Sequence, residues 1–130
     1  MTDIIIYPTD TAYALGCDAR VGEAVERIFA IKGRDQGKAL PLIAADINMV
    51  REWCELSGQA AELAEKYWPG PLTLVLPVRK SGLAPAVIAA GGVAIRVPDQ
   101  GEARALAQEI GGPIVSTSAN KAGGNNCYSL

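Results

Sequence analysis

The hydrophobic positions of this chain alternate between short continuous runs and helical spacing, a pattern that predicts an α/β domain. Continuous runs rich in apolar and β-branched residues, bounded by proline, glycine or polar residues, are typical of strands. They occur at residues 3–7, 40–45, 72–77, 93–97 and 114–116, and the first of them is interpreted as buried. Apolar residues at helical spacing predict helices at residues 22–32, 47–55, 59–67 and 102–110. This alternation predicts a twisted sheet flanked by helices, with parallel and antiparallel pairing both open.

Capping signals support the predicted helix ends. Asp46 and Ser57 stand where N-caps are expected, since a side-chain oxygen there accepts a hydrogen bond from the first turn. Lys32-Gly33-Arg34 closes the first helix with basic residues and a glycine, as the helix dipole and a C-cap favour. The run Trp68-Pro69-Gly70-Pro71 is a chain break that we interpret as architectural. Residues 9–16 are interpreted as a polar turn with a short apolar stretch, and residues 79–92 as a loop.

Length and charge restrict the classes of protein. The chain has 130 residues, which corresponds to a single domain, and its 12 Lys and Arg against 14 Asp and Glu leave a formal net charge of −2. Attraction of the whole molecule to nucleic acid or to an anionic membrane is therefore not expected. No apolar run approaches the ~18 residues that a membrane span needs, and the N-terminus has no basic region typical of a secretory signal. A cytoplasmic protein without a membrane partner is expected.

The absence of histidine restricts the chemistry further. Without imidazole there is no Ser-His-Asp or Cys-His triad and no histidine zinc ligand. Catalysis near neutral pH must therefore use charge and positioning, lysine or carboxylate groups with perturbed pKa, or groups of the substrate itself. Cys17, Cys54 and Cys127 are odd in number and form no CxxC motif, which favours free thiols in a reducing compartment. Acidic residues are scattered, so no metal site is expected. A Mg²⁺ ion carried by phosphates and water remains compatible with the sequence.

Polar residues that could bind a ligand or take part in catalysis lie mostly at the ends of predicted elements, where open α/β sheets bind ligands. Cations and hydroxyls together suit an anion-binding pocket. Each group also has a structural alternative: a helix cap, a hydrogen-bonded turn, or, for the strand arginine, exposure to solvent. The sequence contains neither a P-loop nor a GxGxxG motif. These candidate residues are Thr9, Thr11, Lys32, Arg34, Lys38, Arg96, Ser116, Thr117, Ser118 and Asn120.

Several short motifs occur in a fixed order along nearly the whole chain. They are Tyr7-Pro8-Thr9-Asp10-Thr11-Ala12-Tyr13-Ala14-Leu15-Gly16, Lys32-Gly33-Arg34, Trp68-Pro69-Gly70-Pro71-Leu72-Thr73, Ala94-Ile95-Arg96-Val97-Pro98 and Ser116-Thr117-Ser118-Ala119-Asn120. Together they resemble the YrdC/TsaC family of threonylcarbamoyl-adenylate synthases. The resemblance implies a single YrdC-like domain, with a twisted mixed sheet flanked by helices and a positively charged concave face.

The resemblance also implies a nucleotidyltransferase reaction. L-threonine, bicarbonate and ATP would give threonylcarbamoyl-adenylate and pyrophosphate, with ATP as a substrate and Mg²⁺ carried by the nucleotide. A partner threonylcarbamoyl transferase complex would then modify tRNA. By resemblance, Thr11 would contact threonine, and Arg96 with Ser116 would bind its carboxylate. Because adenylyl transfer depends mainly on alignment and charge stabilisation, the lack of histidine is compatible with it.

The nucleotide-binding residues follow from the same resemblance. Lys32 and Arg34 match the K-x-R element of the family, and Ser118 and Asn120 match its S-x-N element. These four residues would hold the nucleotide phosphates and the carbamate, and so they are the implied catalytic residues. Lys38 lies where the family often has a further polar residue in contact with the nucleotide.

The chain also departs from the family pattern. Members usually have a helix before the first strand and a further segment after the S-x-N element, so the domain at residues 1–130 is expected to be truncated at both ends. Ala14 and Ala39 replace the more usual glycine and proline, and the stretch around Ala14 leans towards YciO-like paralogues. The alternatives are therefore a YciO-like paralogue, a non-catalytic module binding nucleotide, tRNA or double-stranded RNA, and a carbamoyl-transfer domain of a larger protein. An uncovered sheet edge also predicts self-association.

Overall fold

The computed structural model describes residues 4–8, 13–32 and 40–118, and these residues form a sheet with helices on both faces. The elements in chain order are β1 (Ile5–Pro8), β2 (Tyr13–Asp18), α1 (Gly22–Lys32), β3 (Leu42–Ile43), α2 (Ile47–Trp53), α3 (Gly58–Tyr67), β4 (Leu74–Pro77), a short 3₁₀ turn (Pro85–Val87), β5 (Gly92–Arg96), α4 (Gly101–Ile110) and β6 (Ile114–Ser118).

The sheet has six strands in the order β1-β2-β6-β3-β5-β4. Among the described strands, β3 and β5 form the one parallel pair, and the other neighbouring pairs are antiparallel. The predicted α/β class with a mixed sheet is therefore confirmed. The parallel pair requires a long crossover, which α2, α3 and β4 provide between the two strands.

Side chains that alternate along the strands divide the core between the two faces of the sheet. Leu42, Ile95 and Val115 lie in one row across β3, β5 and β6, and they belong to the larger core cluster, which includes the buried residues of α1. Ile43 and Ile114 point to the opposite face, where Ala103 and Ala107 of α4 cover them. The face under α4 is the one that carries the candidate site.

The sequence prediction was wrong about the strand content near the N-terminus. Residues 13–16, interpreted as a short apolar stretch and not as a strand, instead form most of β2, a six-residue strand that pairs with both β1 and β6. The polar turn predicted before them lies outside the described residues. Strand β1 was interpreted as buried, but it lies at the edge of the sheet and Ile6 is 47% exposed. Single-sequence patterns do not show this because burial on both sides depends on which strands become neighbours.

The ends of several other elements also differ from the predicted ones. Strand β3 is shorter than predicted, whereas β6 extends to Ser118, so the hydroxyl residues expected after the last strand lie within it. The predicted loop at residues 79–92 contains the 3₁₀ turn and the first residue of β5. Strand β6 is longer because β2 offers pairing partners along its whole length, up to Ala14 opposite Ser118.

The predicted helices are all present, with changes at their ends. Asp46 caps α2 as predicted, since its carboxylate accepts a hydrogen bond of 2.8 Å from the Met49 N–H. Ser57 is at the N-cap of α3, but its side chain makes no capping hydrogen bond. Helix α2 ends at Trp53 because Cys54 forms a bridge with Val78. None of the described helices has the length and apolar character needed to cross a membrane.

Candidate functional site

Arg96, the last residue of β5, lies on the sheet face that α4 covers. It is opposite Ile43 in the parallel pair, and Ile43 is in turn opposite Ile114 of β6. Because the three residues share a row, their side chains point to the same face of the sheet. Arg96 is half-buried there and borders a cavity, which favours a role in the site over a solvent-facing strand arginine.

The cavity next to Arg96 has a volume of about 190 Å³. Drug-sized ligand pockets are typically about 300–1,000 Å³, so a ligand the size of an amino acid fits this space better. Its wall combines the end of β5, the beginning of α4 and the turn that precedes β4. The lining residues are Ile43, Gly70, Pro71, Arg96, Pro98, Asp99, Gln100 and Ala103.

The described part of the cavity wall carries one positive and one negative side chain. Among the described residues, Arg96 and Asp99 are the charged members of the lining, one positive and one negative. The Arg96 guanidinium forms no hydrogen bond or ion pair with the described residues. By contrast, Arg20 is paired with Asp18, and Arg104 donates to the Ala45 carbonyl oxygen at 3.0 Å. A half-buried guanidinium with no acceptor among the described residues suits an anionic group of a ligand.

The turn at Trp68–Pro71 builds one side of the cavity. The peptide bond between Trp68 and Pro69 is cis, and the Gly70 N–H donates to the Val97 carbonyl oxygen at 2.9 Å. A Cβ on Gly70 would overlap the Tyr67 carbonyl oxygen, so only glycine fits this position. The Trp68 indole N–H donates to the Leu72 carbonyl oxygen at 2.6 Å. The turn is architectural, and it also forms part of the site, which the sequence did not indicate.

A second cavity of about 340 Å³ borders the same turn. Pro69 belongs to its wall, whereas Gly70 and Pro71 belong to the wall of the Arg96 cavity. The residues that line the second cavity are Asp46, Ile47, Ala64, Glu65, Trp68, Pro69, Val97 and Arg104.

Ser116 shares the sheet face of Arg96. It follows Ile114 at the next same-face position of β6, and its backbone N–H donates to the Pro41 carbonyl oxygen at 3.0 Å. Strand β3 separates the two residues, so their Cα atoms are about 10 Å apart across the strands and about 7 Å apart along them. A small ligand that contacts Arg96 can therefore extend towards Ser116, whereas the two side chains do not meet directly across β3.

The other predicted site residues are described in part or not at all. Ser118 ends β6 opposite Ala14, and Lys32 ends α1, but their side chains lie outside the described structure. The remaining predicted site residues lie outside the described residues; they are Thr9, Thr11, Arg34, Lys38 and Asn120. Thr117 is described and points to the opposite face of the sheet from Ser116.

The sequence prediction missed Asp99 and Gln100. Both line the Arg96 cavity, and Gln100 is the N-cap of α4: its side-chain oxygen accepts from the Ala103 N–H at 2.8 Å. Their position in the sequence could have indicated a site, since both residues lie between a predicted strand and a predicted helix. Within the described ranges, no group of three or more His, Cys, Asp or Glu residues is arranged to hold a metal ion.

Comparison with known proteins places these features in one family. The family model for Sua5, YciO and YrdC proteins, described as "Telomere recombination", matches residues 2–130. The threonylcarbamoyl-AMP synthase of Idiomarina loihiensis is 42% identical over 128 residues, covering 94% of this chain and 67% of that protein.

Two solved structures are similar over most of the chain. P. abyssi Sua5 complexed with L-threonine has a TM-score of 0.83 and 36% identity, and the match covers 97% of this chain and 37% of that one. E. coli YciO has a TM-score of 0.77 and 31% identity, with 88% of this chain and 56% of that one covered. The chain thus spans about one third to two thirds of the length of these relatives. On its sequence and its fold, this chain belongs to the Sua5/YciO/YrdC family.

Proposed function

We propose that this chain acts as a threonylcarbamoyl-AMP synthase domain. It would join L-threonine, bicarbonate and ATP to give threonylcarbamoyl-adenylate and pyrophosphate. The proposal is supported by the name of the Idiomarina loihiensis relative and by the L-threonine complex of P. abyssi Sua5, at 42% and 36% identity respectively.

The observation that carries the proposal is the half-buried Arg96 guanidinium in a cavity of amino-acid size. Its positive charge suits the carboxylate of an α-amino acid, and the Asp99 carboxylate on the same wall suits an ammonium group. Two opposite charges on one cavity wall suit a zwitterion better than a dianion such as a free phosphate. Threonine is thus proposed to bind with its carboxylate at Arg96, while Thr11 contacts the rest of the molecule. The resemblance implies a carboxylate contact for Ser116 as well, but because β3 separates Ser116 from Arg96, we assign Ser116 to the rest of the molecule.

In the proposed reaction, the threonine ammonium first loses a proton to solvent. The free amine then attacks the CO₂ in equilibrium with bicarbonate, a C–N bond forms, and a second proton is lost to solvent to give the carbamate. A carbamate oxygen then attacks the α-phosphorus of ATP, and the bond to pyrophosphate breaks. Because the attacking carbamate oxygen is already anionic and pyrophosphate leaves as an anion, neither oxygen requires a proton transfer, and the protein mainly aligns the reactants and neutralises charge. These roles are proposed for Lys32, Arg34, Ser118 and Asn120, with Lys38 as a further nucleotide contact and Mg²⁺ carried by the phosphates of ATP.

The partners of the proposed reaction follow from its product. A threonylcarbamoyl-adenylate is a mixed anhydride, so a transferase that acts on tRNA would have to consume it. Direct binding of tRNA or double-stranded RNA and a cytoplasmic location belong to the same proposal. The net charge of −2 means that any RNA contact would depend on a local basic patch.

The test is release of pyrophosphate by the purified chain, with threonine, bicarbonate and ATP each omitted in turn. Release that requires all three supports the proposal. The variant Arg96→Gln should lose threonine binding by isothermal titration calorimetry and keep ATP binding. The matched variant Arg79→Gln alters an exposed arginine whose Nη1 donates to the Arg51 carbonyl oxygen, and it should keep both. A wild-type chain that binds no threonine would contradict the proposed function.

A further inference from the structure

The two polar atoms of the Gln100 side chain differ in their hydrogen bonding: Oε1 has a partner in α4, and Nε2 has none among the described residues. Its side-chain oxygen caps α4 by accepting the Ala103 N–H at 2.8 Å. Because a backbone N–H can only donate, the atom that faces Ala103 must be Oε1, and this fixes the orientation of the amide. Within the described structure, no acceptor is paired with Nε2 of this half-buried side chain.

Gln100 is also part of the wall of the Arg96 cavity, together with Ala103. Since Oε1 is held by the first turn of α4, the Nε2 amide is the end of the side chain that remains available to a ligand. The cavity therefore offers a charged donor on β5 and a neutral donor at the start of α4. A carboxylate has two oxygens and accepts from two such donors at once.

We infer that Gln100 is a further substrate-binding residue, whose Nε2 donates to the carboxylate oxygen of the amino acid that Arg96 does not fully satisfy. This inference rests on the proposed function and adds a second donor to the same site. The hydrogen bond of Oε1 holds the amide in place, because moving the amide would break the N-cap of a ten-residue helix. The proposed contact between Nε2 and the carboxylate is therefore rigid. The substrate class it selects is an α-amino acid with a free carboxylate, in preference to the corresponding amide or ester.

The variant Gln100→Glu separates the two roles of the side chain. A glutamate keeps an oxygen for the Ala103 N–H and places a negative charge at a helix N-terminus, where it is favourable. It replaces the Nε2 donor with a second acceptor beside the ligand carboxylate. We expect the melting temperature to be unchanged or higher, while the Kd for L-threonine rises at least tenfold and ATP binding is unchanged.

The control is Asp46→Asn, which changes the capping carboxylate of another helix, outside the lining of this cavity. It should leave threonine affinity unchanged. Titration of L-threoninamide provides a second comparison, because this ligand lacks the carboxylate. If Gln100 contacts that group, Gln100→Glu should weaken binding of the amide by less than twofold.

The outcomes distinguish this inference from the proposed function. If the wild type binds threonine, Arg96→Gln does not, and Gln100→Glu binds like the wild type, the role of Gln100 is overturned and the function stands. Equal losses of affinity for threonine and threoninamide overturn the carboxylate contact. Should Gln100→Glu fail to fold, Gln100→Ser keeps a capping oxygen and removes the amide. Retained threonine affinity in that variant would overturn the inference, and lost affinity would support it.

Discussion

The Arg20 guanidinium forms a two-point ion pair with the Asp18 carboxylate at the end of β2. Nε donates to Oδ1 at 2.9 Å and Nη2 to Oδ2 at 2.8 Å, while the Arg20 backbone N–H also donates to Oδ1 at 2.9 Å. Nη2 reaches further, to the Ile110 carbonyl oxygen at the end of α4, at 3.0 Å. The pair therefore connects the sheet to the helix that covers the candidate site.

Asp18→Asn should destabilise the fold. The substitution removes the charge from hydrogen bonds that are each typically worth about 1.5–3 kcal/mol when charge-assisted, and the asparagine keeps only part of the acceptor set. We expect the free energy of unfolding in urea at neutral pH to fall by about 2 kcal/mol. Glu62→Gln, at an exposed position on α3, serves as the control and should change it little. Equal stability of Asp18→Asn and the wild type would show that the pair contributes nothing.

The contribution of Asp18 should depend on pH in a defined direction. Burial alone would raise the pKa of Asp18, but the hydrogen bonds from Arg20 and its positive charge together lower that pKa below the ordinary value of 3.8. A lowered folded-state pKa means that the stabilisation is fully present above the unfolded-state pKa and is lost as the pH falls through the folded value. The difference in unfolding free energy between wild type and Asp18→Asn should therefore be constant from about pH 7 to about pH 5 and shrink below about pH 4. A difference that grows on acidification would contradict this assignment.

Gly70→Ala should damage both the fold and the cavity. The added Cβ would overlap the Tyr67 carbonyl oxygen, and Gly70 itself lines the wall next to Arg96. Overpacking of this kind typically costs about 1–3 kcal/mol, so we expect a lower melting temperature together with weaker threonine binding. Gly101→Ala is the matched control, because open space surrounds that glycine at the start of α4. It should be neutral or stabilising by up to about 1 kcal/mol. If the two variants have the same melting temperature, the contact between the added Cβ and the Tyr67 carbonyl oxygen does not destabilise the fold.

Cys17 and Cys54 should be unreactive in the folded chain. Burial, together with the negative charge of Asp18, raises the pKa of Cys17 to about 12, and burial raises the pKa of Cys54 to about 11. Since the thiolate is the reactive form, such shifts lower its population on the order of 10²–10³-fold. In a Cys127→Ser variant, which leaves these two thiols, a disulfide reagent at about pH 8 should modify the native chain far more slowly than the urea-unfolded chain. Similar rates in both states would rule out the buried environment.

Val75 marks the edge at which we expect the chain to self-associate. Val75 is 76% exposed on β4, which lies at the edge of the sheet. At the C-terminal end of β4, the Glu55 N–H donates to the Pro77 carbonyl oxygen at 2.9 Å, so that end of the strand is already paired. A lysine on an edge strand opposes pairing with a second chain. Light scattering at micromolar concentrations should therefore detect association in the wild type and a monomer in Val75→Lys. Ile31→Lys, at an exposed apolar position on α1, should still associate. A monomeric wild type would contradict the prediction.

Local interactions explain which elements could be predicted from the sequence. The helical spacing in α1 and α4 and the cap at Asp46 depend on residues within one or two turns, so they are visible in a single segment. Composition also restricts the chemistry, since a chain without histidine has no imidazole to act as a general base or as a zinc ligand. The ordered motifs were sufficient for the family assignment, which the matched family model confirms.

The candidate site required the tertiary structure. Arg96, Gln100 and Gly70 meet around one cavity because β5 pairs with β3, α4 covers that face, and the Gly70 N–H bonds to the Val97 carbonyl oxygen. Strand β2 was missed, and the serines of β6 were placed after the strand, for the same reason: their pairing partners are about a hundred residues apart in sequence. By itself, the sequence determined the types of element, the family and the reactive groups available. Only the long-range hydrogen bonds of the sheet, which set strand order and register, decided that Arg96 points into a cavity and which groups it meets there.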